Sequence, residues 1–233
     1  MLRYAFVGLI CFAASGAVAQ QTQPGPDSPS APPKPAAGEP AKAAVTMEEP
    51  LQGDRWIYEV RDEIAGSVTA TRTFLVTEVT PTEIATRFTN AGNAEANQIL
   101  YDRSWNVTRA GPWKYSPNDG SGMQLPLSVG KTWSFRSSEV NASNGNIWKR
   151  SGSSKVIGQE SLTTRAGTFE AFKIETSYSS QSVSDPTRKT DVTVVNWYAP
   201  AIDHWVKRTF VARANKHLVT NNTLELVEYG RRQ

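Results

Sequence analysis

From Arg55 to Tyr229 the chain keeps returning to a two-residue alternation of apolar and polar side chains, broken every few residues by glycine, proline or asparagine. That period places successive side chains on opposite faces of an extended backbone, and it is incompatible with the 3.6-residue stripe of an amphipathic helix. Arg55-Trp56-Ile57-Tyr58-Glu59-Val60-Arg61 is the clearest case. Trp56, Tyr58 and Val60 share one face, and Arg55, Ile57, Glu59 and Arg61 share the other. A half-buried antiparallel strand reads this way.

The same reading continues through Thr69–Val79, Glu83–Thr89, Gln98–Asp102 and Trp105–Arg109. Lys131–Val140 and Asn146–Ile157 form a hairpin around Asn144-Gly145, a strong short-range turn signal. Gln159–Arg165 and Thr168–Tyr178 flank Ala166-Gly167, and Thr190–Tyr198, His204–Val211 and Leu218–Tyr229 complete the series. About eleven strands are expected, with Ala91–Gln98 the one stretch where a short helix fits. The fold class is therefore all-β: an antiparallel curved sheet or half-barrel, in one domain. So many strands must curl, close or fold over themselves. A sandwich would bury both inner faces; a half-barrel would leave a concave apolar trough.

Before the strands the composition is different. Residues 1–19 carry Arg3, an apolar run from Tyr4 to Ala14, and Ala17-Val18-Ala19, the order of a secretory signal peptide cleaved near Ala19-Gln20. The run is shorter than the roughly 20 residues a membrane-spanning helix needs, and no later segment has one, so no transmembrane segment is expected. Residues 20–47 hold seven of the fourteen prolines and no aromatic residue, which reads as a disordered Pro/Ala-rich linker. Residues 48–233 form the expected all-β domain. The single cysteine, Cys11, lies within the signal, so no disulfide, thiol nucleophile or cysteine metal ligand is expected. These features place the protein in the periplasm or outside the cell.

Formal net charge is +3, and loss of Arg3 with the signal lowers it by one. A nearly neutral chain with scattered basic residues argues against nucleic-acid binding. His204 and His217 are the only histidines, and neither has metal-ligand spacing around it. Nucleophile-elbow, phosphate-loop and dinucleotide signatures are missing, so no cofactor and no enzymatic activity is expected. Asp62-Glu63, Asp102 and Asp191 are the carboxylates considered for acid/base work; exposed strand-end positions explain them equally well.

Gly53-Asp54-Arg55-Trp56-Ile57-Tyr58 and Gly130-Lys131-Thr132-Trp133-Ser134-Phe135 share the form G-x-x-W-x-aromatic, which suggests two similar halves of one sheet. Separately, Leu127-Ser128-Val129-Gly130-Lys131-Thr132-Trp133, Arg165-Ala166-Gly167-Thr168-Phe169-Glu170-Ala171-Phe172-Lys173-Ile174, Asn196-Trp197-Tyr198-Ala199-Pro200 and Trp205-Val206-Lys207-Arg208 together resemble a broad family of uncharacterised exported proteobacterial proteins. The resemblance covers most of residues 50–229. Such proteins look similar to the half-barrel lipoprotein carriers of the bacterial envelope, although this sequence lacks their lid helices. The resemblance implies an apolar trough and a lipid or other apolar ligand. By strand alternation Trp56, Tyr58, Trp133, Phe135, Phe172 and Ile174 would face it. The alternative is an interaction or scaffold module with a filled core, which binds an envelope protein or cell-wall glycan.

Overall fold

The computed structural model describes residues 47–93 and 95–231. The signal-peptide reading and all of the linker but Met47 fall outside these residues. Met47, assigned to the linker by composition, is fully buried and donates its backbone N–H to Ala201 O at 2.8 Å.

Twelve strands follow among the described residues. They are β1 (Arg55–Asp62), β2 (Ser67–Val79), β3 (Glu83–Asn90), β4 (Asn97–Asp102), β5 (Val107–Ala110) and β6 (Trp113–Ser116) in the first half of the sheet. The second half holds β7 (Thr132–Asn141), β8 (Ile147–Thr164), β9 (Gly167–Ser182), β10 (Lys189–Ala199), β11 (His204–Ala214) and β12 (His217–Gly230). A single 3-10 turn, Pro200–Ile202, joins β10 to β11. Each strand pairs antiparallel with its sequence neighbour, and β12 returns to β1, so the sheet closes into a barrel.

Closure and strand count depart from the half-barrel of about eleven strands. β12 pairs with β1 from Arg55↔Gly230 to Asp62↔Asn222, which leaves neither end of the sheet with an unpaired backbone edge. Asn146–Ile157 and Gln159–Arg165 are one strand, β8, bent at an extra residue between Val156 and Gly158. The short β6 falls between two turn signals that hide it. Among the described residues between β3 and β4 no helix forms.

The G-x-x-W echo is a structural repeat. Gly53 and Gly130 take φ +93° and +90°, a left-handed conformation that favours glycine. Gly53 N donates to Val76 O at 2.9 Å and Gly130 N to Val156 O at 2.8 Å. In return Val76 N donates to Asp54 O at 2.8 Å and Val156 N to Lys131 O at 2.9 Å. Both partner strands then carry an extra residue, Thr77 before Glu78 and Ile157 before Gly158. β1–β2 and β7–β8 thus start and bend by one scheme, each at the head of six strands.

The halves differ past the bulge. β2 ends at Val79, whereas β8 and β9 continue as a long hairpin. Its arm sets the Phe169 ring 5.6 Å from that of Tyr229, and Arg165 at its tip ion-pairs with Glu59 of β1. Trp197 on β10 donates its indole N–H to Glu160 of the arm at 2.5 Å.

Candidate functional site

Two side-chain clusters fill the barrel. The first gathers where β1 and β11 begin. Trp56 and Tyr58 are fully buried and Phe74, Tyr101, Trp105 and Trp205 nearly so, with His204 in their midst at 1% exposure. The His204 ring stacks on Trp56 at 4.2 Å and 13°, and meets Trp105 edge-on at 4.9 Å. Tyr58 donates its hydroxyl proton to Trp205 O at 2.7 Å and also lies 2.5 Å from His204 Nδ1. With its one proton so used, the Tyr58 oxygen accepts from Nδ1–H, which assigns His204 as the neutral Nδ1-protonated tautomer. Burial among aromatic rings pushes the His204 imidazole well below its usual pKa and the Tyr58 hydroxyl well above. Such a histidine is a structural member of the core and carries no charge at neutral pH.

Next to this cluster Asp203 occupies a left-handed position (φ +43°) and accepts the Tyr198 hydroxyl at 2.5 Å. Burial raises its carboxyl to about 6, against the opposing pull of the Tyr198 hydrogen bond. The β6–β7 loop seals this side. Met123 N donates to Ser104 O at 2.8 Å, Gly122 N to Asn106 Oδ1 at 2.7 Å, and Val107 N to Asp119 Oδ1 at 2.8 Å. A cavity of about 20 Å³ remains between Met123, Tyr101, Tyr198 and Trp205, room for about one water molecule.

The second cluster centres on Arg150 of β8. Its Nε donates to Glu139 Oε1 at 2.6 Å and its Nη1 reaches Asp119 Oδ2 at 3.4 Å. Its guanidinium lies 4.3 Å over the Tyr178 ring and 5.3 Å over Tyr115. Ser180 donates to Glu139 Oε1 at 3.1 Å. Burial disfavours the charge on Arg150, but Tyr178, Glu139 and Asp119 outweigh it and raise its pKa. A buried cation is held because each neighbour is an acceptor or the face of a ring.

The six residues expected along a trough therefore fall into different company. Trp56 and Tyr58 belong to the aromatic cluster. Phe135, half-buried, faces Tyr178 at 6.2 Å beside Arg150. Trp133 and Ile174 are buried, and half-buried Phe172 sits opposite Tyr198 across β9 and β10. All six keep the inward parity that their strands assign, Phe172 and Phe135 at only half burial. The carboxylates weighed for acid/base chemistry hold turns or an exposed wall. Asp102 accepts from Ser104 N at 2.9 Å and Asn106 N at 3.0 Å, Asp62 from Ile64 N at 2.8 Å, and Asp191 from the Ser179 hydroxyl at 2.5 Å. Sequence reasoning did not single out Arg150, Glu139, Asp119 or Asp203. Arg150 and Glu139 share the parity of the buried residues of β8 and β7, and for charged residues an inward position is a signal in itself.

Residues 123–213 match the DUF3108-like family. The DUF3108-like segment runs from the β6–β7 loop to β11 and contains Arg150, Asp203 and His204. No curated protein matches the chain. Among solved structures, a candidate lipoprotein of Parabacteroides distasonis superimposes with a TM-score of 0.54 at 15% identity, covering 79% of this chain and 99% of its own. A candidate exported protein with a YmcC-like fold from Bacteroides fragilis superimposes with a TM-score of 0.52 at 16% identity, covering 81% of this chain and all (100%) of its own. At such identities the likeness is one of fold. No helix among the described residues is long and apolar enough to cross a membrane.

Proposed function

We propose that this chain is an exported, non-enzymatic interaction module whose barrel is a solid support and whose outer surface does the binding. The observation that carries this reading is the filling of the interior. Trp56, Tyr58 and His204 pack closely against one another, and the cavity beside them, about 20 Å³, is far below the roughly 300 Å³ at which ligand pockets begin. A wider hollow of about 460 Å³ along Ser116, Ser137 and Arg150 is open to solvent and lined by polar and charged side chains, which do not suit an acyl chain. Export rests on the N-terminal signature in residues 1–19, in keeping with the two structural relatives, one described as a lipoprotein and the other as an exported protein. Absence of an enzymatic role rests on the sequence reading alone.

Native mass spectrometry of the chain purified from its host's envelope fraction, with and without added phospholipid, tests the proposal. The expected spectrum is the bare polypeptide mass in both cases. A stoichiometric acyl lipid retained by the folded protein would overturn it in favour of a carrier that opens between the two clusters.

A further inference from the structure

The chain enters the barrel at Met47 and leaves it at Arg231, and both lie at the end where β1, β7 and β11 begin. The opposite rim is built from the turns after β1, β3, β5, β7, β9 and β11. Of the ten large apolar side chains exposed among the described residues, six lie along four neighbouring turns of that rim: Ile64, Val68, Leu218, Val219, Ile147 and Val183, at 40–57% exposure. Isolated exposed apolar residues are ordinary; a run of them along neighbouring turns is not.

Backbone bonds make the arc continuous. Glu63 N donates to Asn221 O at 2.8 Å, which ties the β1–β2 turn to β12 beside Val219. Val183 N donates to Ile147 O at 2.9 Å, which ties the β9–β10 turn to β8. The β11–β12 turn lies between these points. At its tip Asn215 and Lys216 take φ +50° and +68°, the tight two-residue turn that projects a hairpin end. Exposed Arg213 and Lys216 flank Leu218 there, and neither makes an ion pair among the described residues. On the same arc Lys189 is paired with Asp191 and Arg61 with Glu63. The β11–β12 tip therefore carries an excess of positive charge beside Leu218, whereas the neighbouring turns also hold carboxylates, Asp62 and Asp185.

We propose that this rim docks the barrel onto an anionic lipid surface, with the tips of the β1–β2 and β11–β12 turns entering the headgroup boundary. The inference rests on the proposal that the outer surface is the working part. Separate apolar tips make a poor match for a rigid partner, which needs a packed patch, but a fluid interface can close around each one. Arg213 and Lys216 would meet lipid phosphates in the same contact.

Vesicle flotation of the exported chain tests it, using phosphatidylglycerol/phosphatidylethanolamine vesicles against phosphatidylcholine vesicles. The proposal expects binding to the anionic vesicles that weakens as salt shortens the Debye length. It expects Ile64→Ser with Leu218→Ser to reduce that binding at least about tenfold, and Arg213→Ser with Lys216→Ser to remove its preference for anionic lipid. All four positions are exposed, and an unchanged thermal melt establishes that each variant is folded. Equal binding to both vesicle types, no binding to either, or binding insensitive to both double variants overturns the proposal. So does a dimer that Ile64→Ser with Leu218→Ser dissociates without lipid, because a second copy would then occupy the rim. Failure here leaves the filled interior standing, since native mass spectrometry reads that separately.

Discussion

Trp56 and Tyr58 on β1 correspond to Trp133 and Phe135 on β7, each pair entered through a left-handed glycine and each facing a partner strand that bulges after a corresponding valine, Val76 or Val156. The surroundings could hardly differ more. Tyr58 ends in a cage of rings, spending its hydroxyl on Trp205 O and His204. Phe135 packs beside Gly120, where an added Cβ would fall 2.1 Å from its ring, and against Tyr178 in the shell around Arg150. One backbone scheme thus supports two interiors, one held by apolar burial and one by a buried cation with its acceptors. The repeat specifies where the strands start and bend, and side chains contributed from elsewhere in the barrel decide what each half contains.

That contrast can be broken most sharply at Arg150. Arg150→Met strands Glu139 and Asp119 in a buried site, and urea denaturation should register a loss near 5 kcal/mol. Replacing all three with apolar or neutral residues should recover most of it, because the cost lies in the unpaired charges. If the single and triple variants are equally unstable, the cluster acts through packing instead.

In the aromatic half the corresponding test is Trp56→Ala, expected to cost about 4 kcal/mol because the side chain is fully enclosed. Trp133→Ala, at a position with 8% exposure and no ring stacked on it, should cost visibly less in the same assay. Equal losses would mean that the two halves are energetically alike despite their different neighbours.

Acid titration sharpens the comparison further. Folded His204 stays neutral well below its unfolded pKa of about 6.5, so stability falls as pH drops below that point, by roughly 1.4 kcal/mol per pH unit. Folded Asp203, at about 6, takes up a proton before its unfolded counterpart does at roughly 3.9, so stability rises as pH falls through that window. The two slopes have opposite sign and offset each other between about pH 4 and 6. Relative to wild type, Asp203→Asn should therefore add a downward slope near 1.4 kcal/mol per unit in that window, measured by chemical denaturation at successive pH values. A parallel pH profile for the variant would remove Asp203 from the account.

The smallest effect is expected at Tyr58→Phe, which leaves Trp205 O without its donor and His204 Nδ1–H without its acceptor. A loss of about 1–2 kcal/mol is expected, with little change in the Arg150 half. Nuclear magnetic resonance of the His204 ring should report a change in its hydrogen bonding, whereas signals around Tyr178 should stay in place.

Much of this architecture could be read directly from residues. Alternation gave the strands, Asn144-Gly145 and Ala166-Gly167 marked hairpin turns, and the paired G-x-x-W segments announced the repeat. Each rests on forces that act within a few residues: side-chain parity, positive φ at glycine, and the missing N–H of proline. The inward parity of Trp56, Tyr58, Trp133, Phe135, Phe172 and Ile174 was legible for the same reason. β6, with four residues between Pro112 and Pro117, was too short to show a period.

The closed barrel, its filled interior and its ionic centre depend on contacts the local pattern does not encode. β12 meets β1 across more than a hundred and fifty residues, as in the Arg231–Asp54 ion pair with a separation of 177. Arg150 finds Glu139 eleven residues away through a hairpin, but Asp119 thirty-one residues away through a loop folded into the barrel. Periodicity reports which side of a strand a residue occupies. What stands on the other side of that face is settled by how the whole sheet closes, because only closure brings strands distant in sequence to within hydrogen-bonding and packing range.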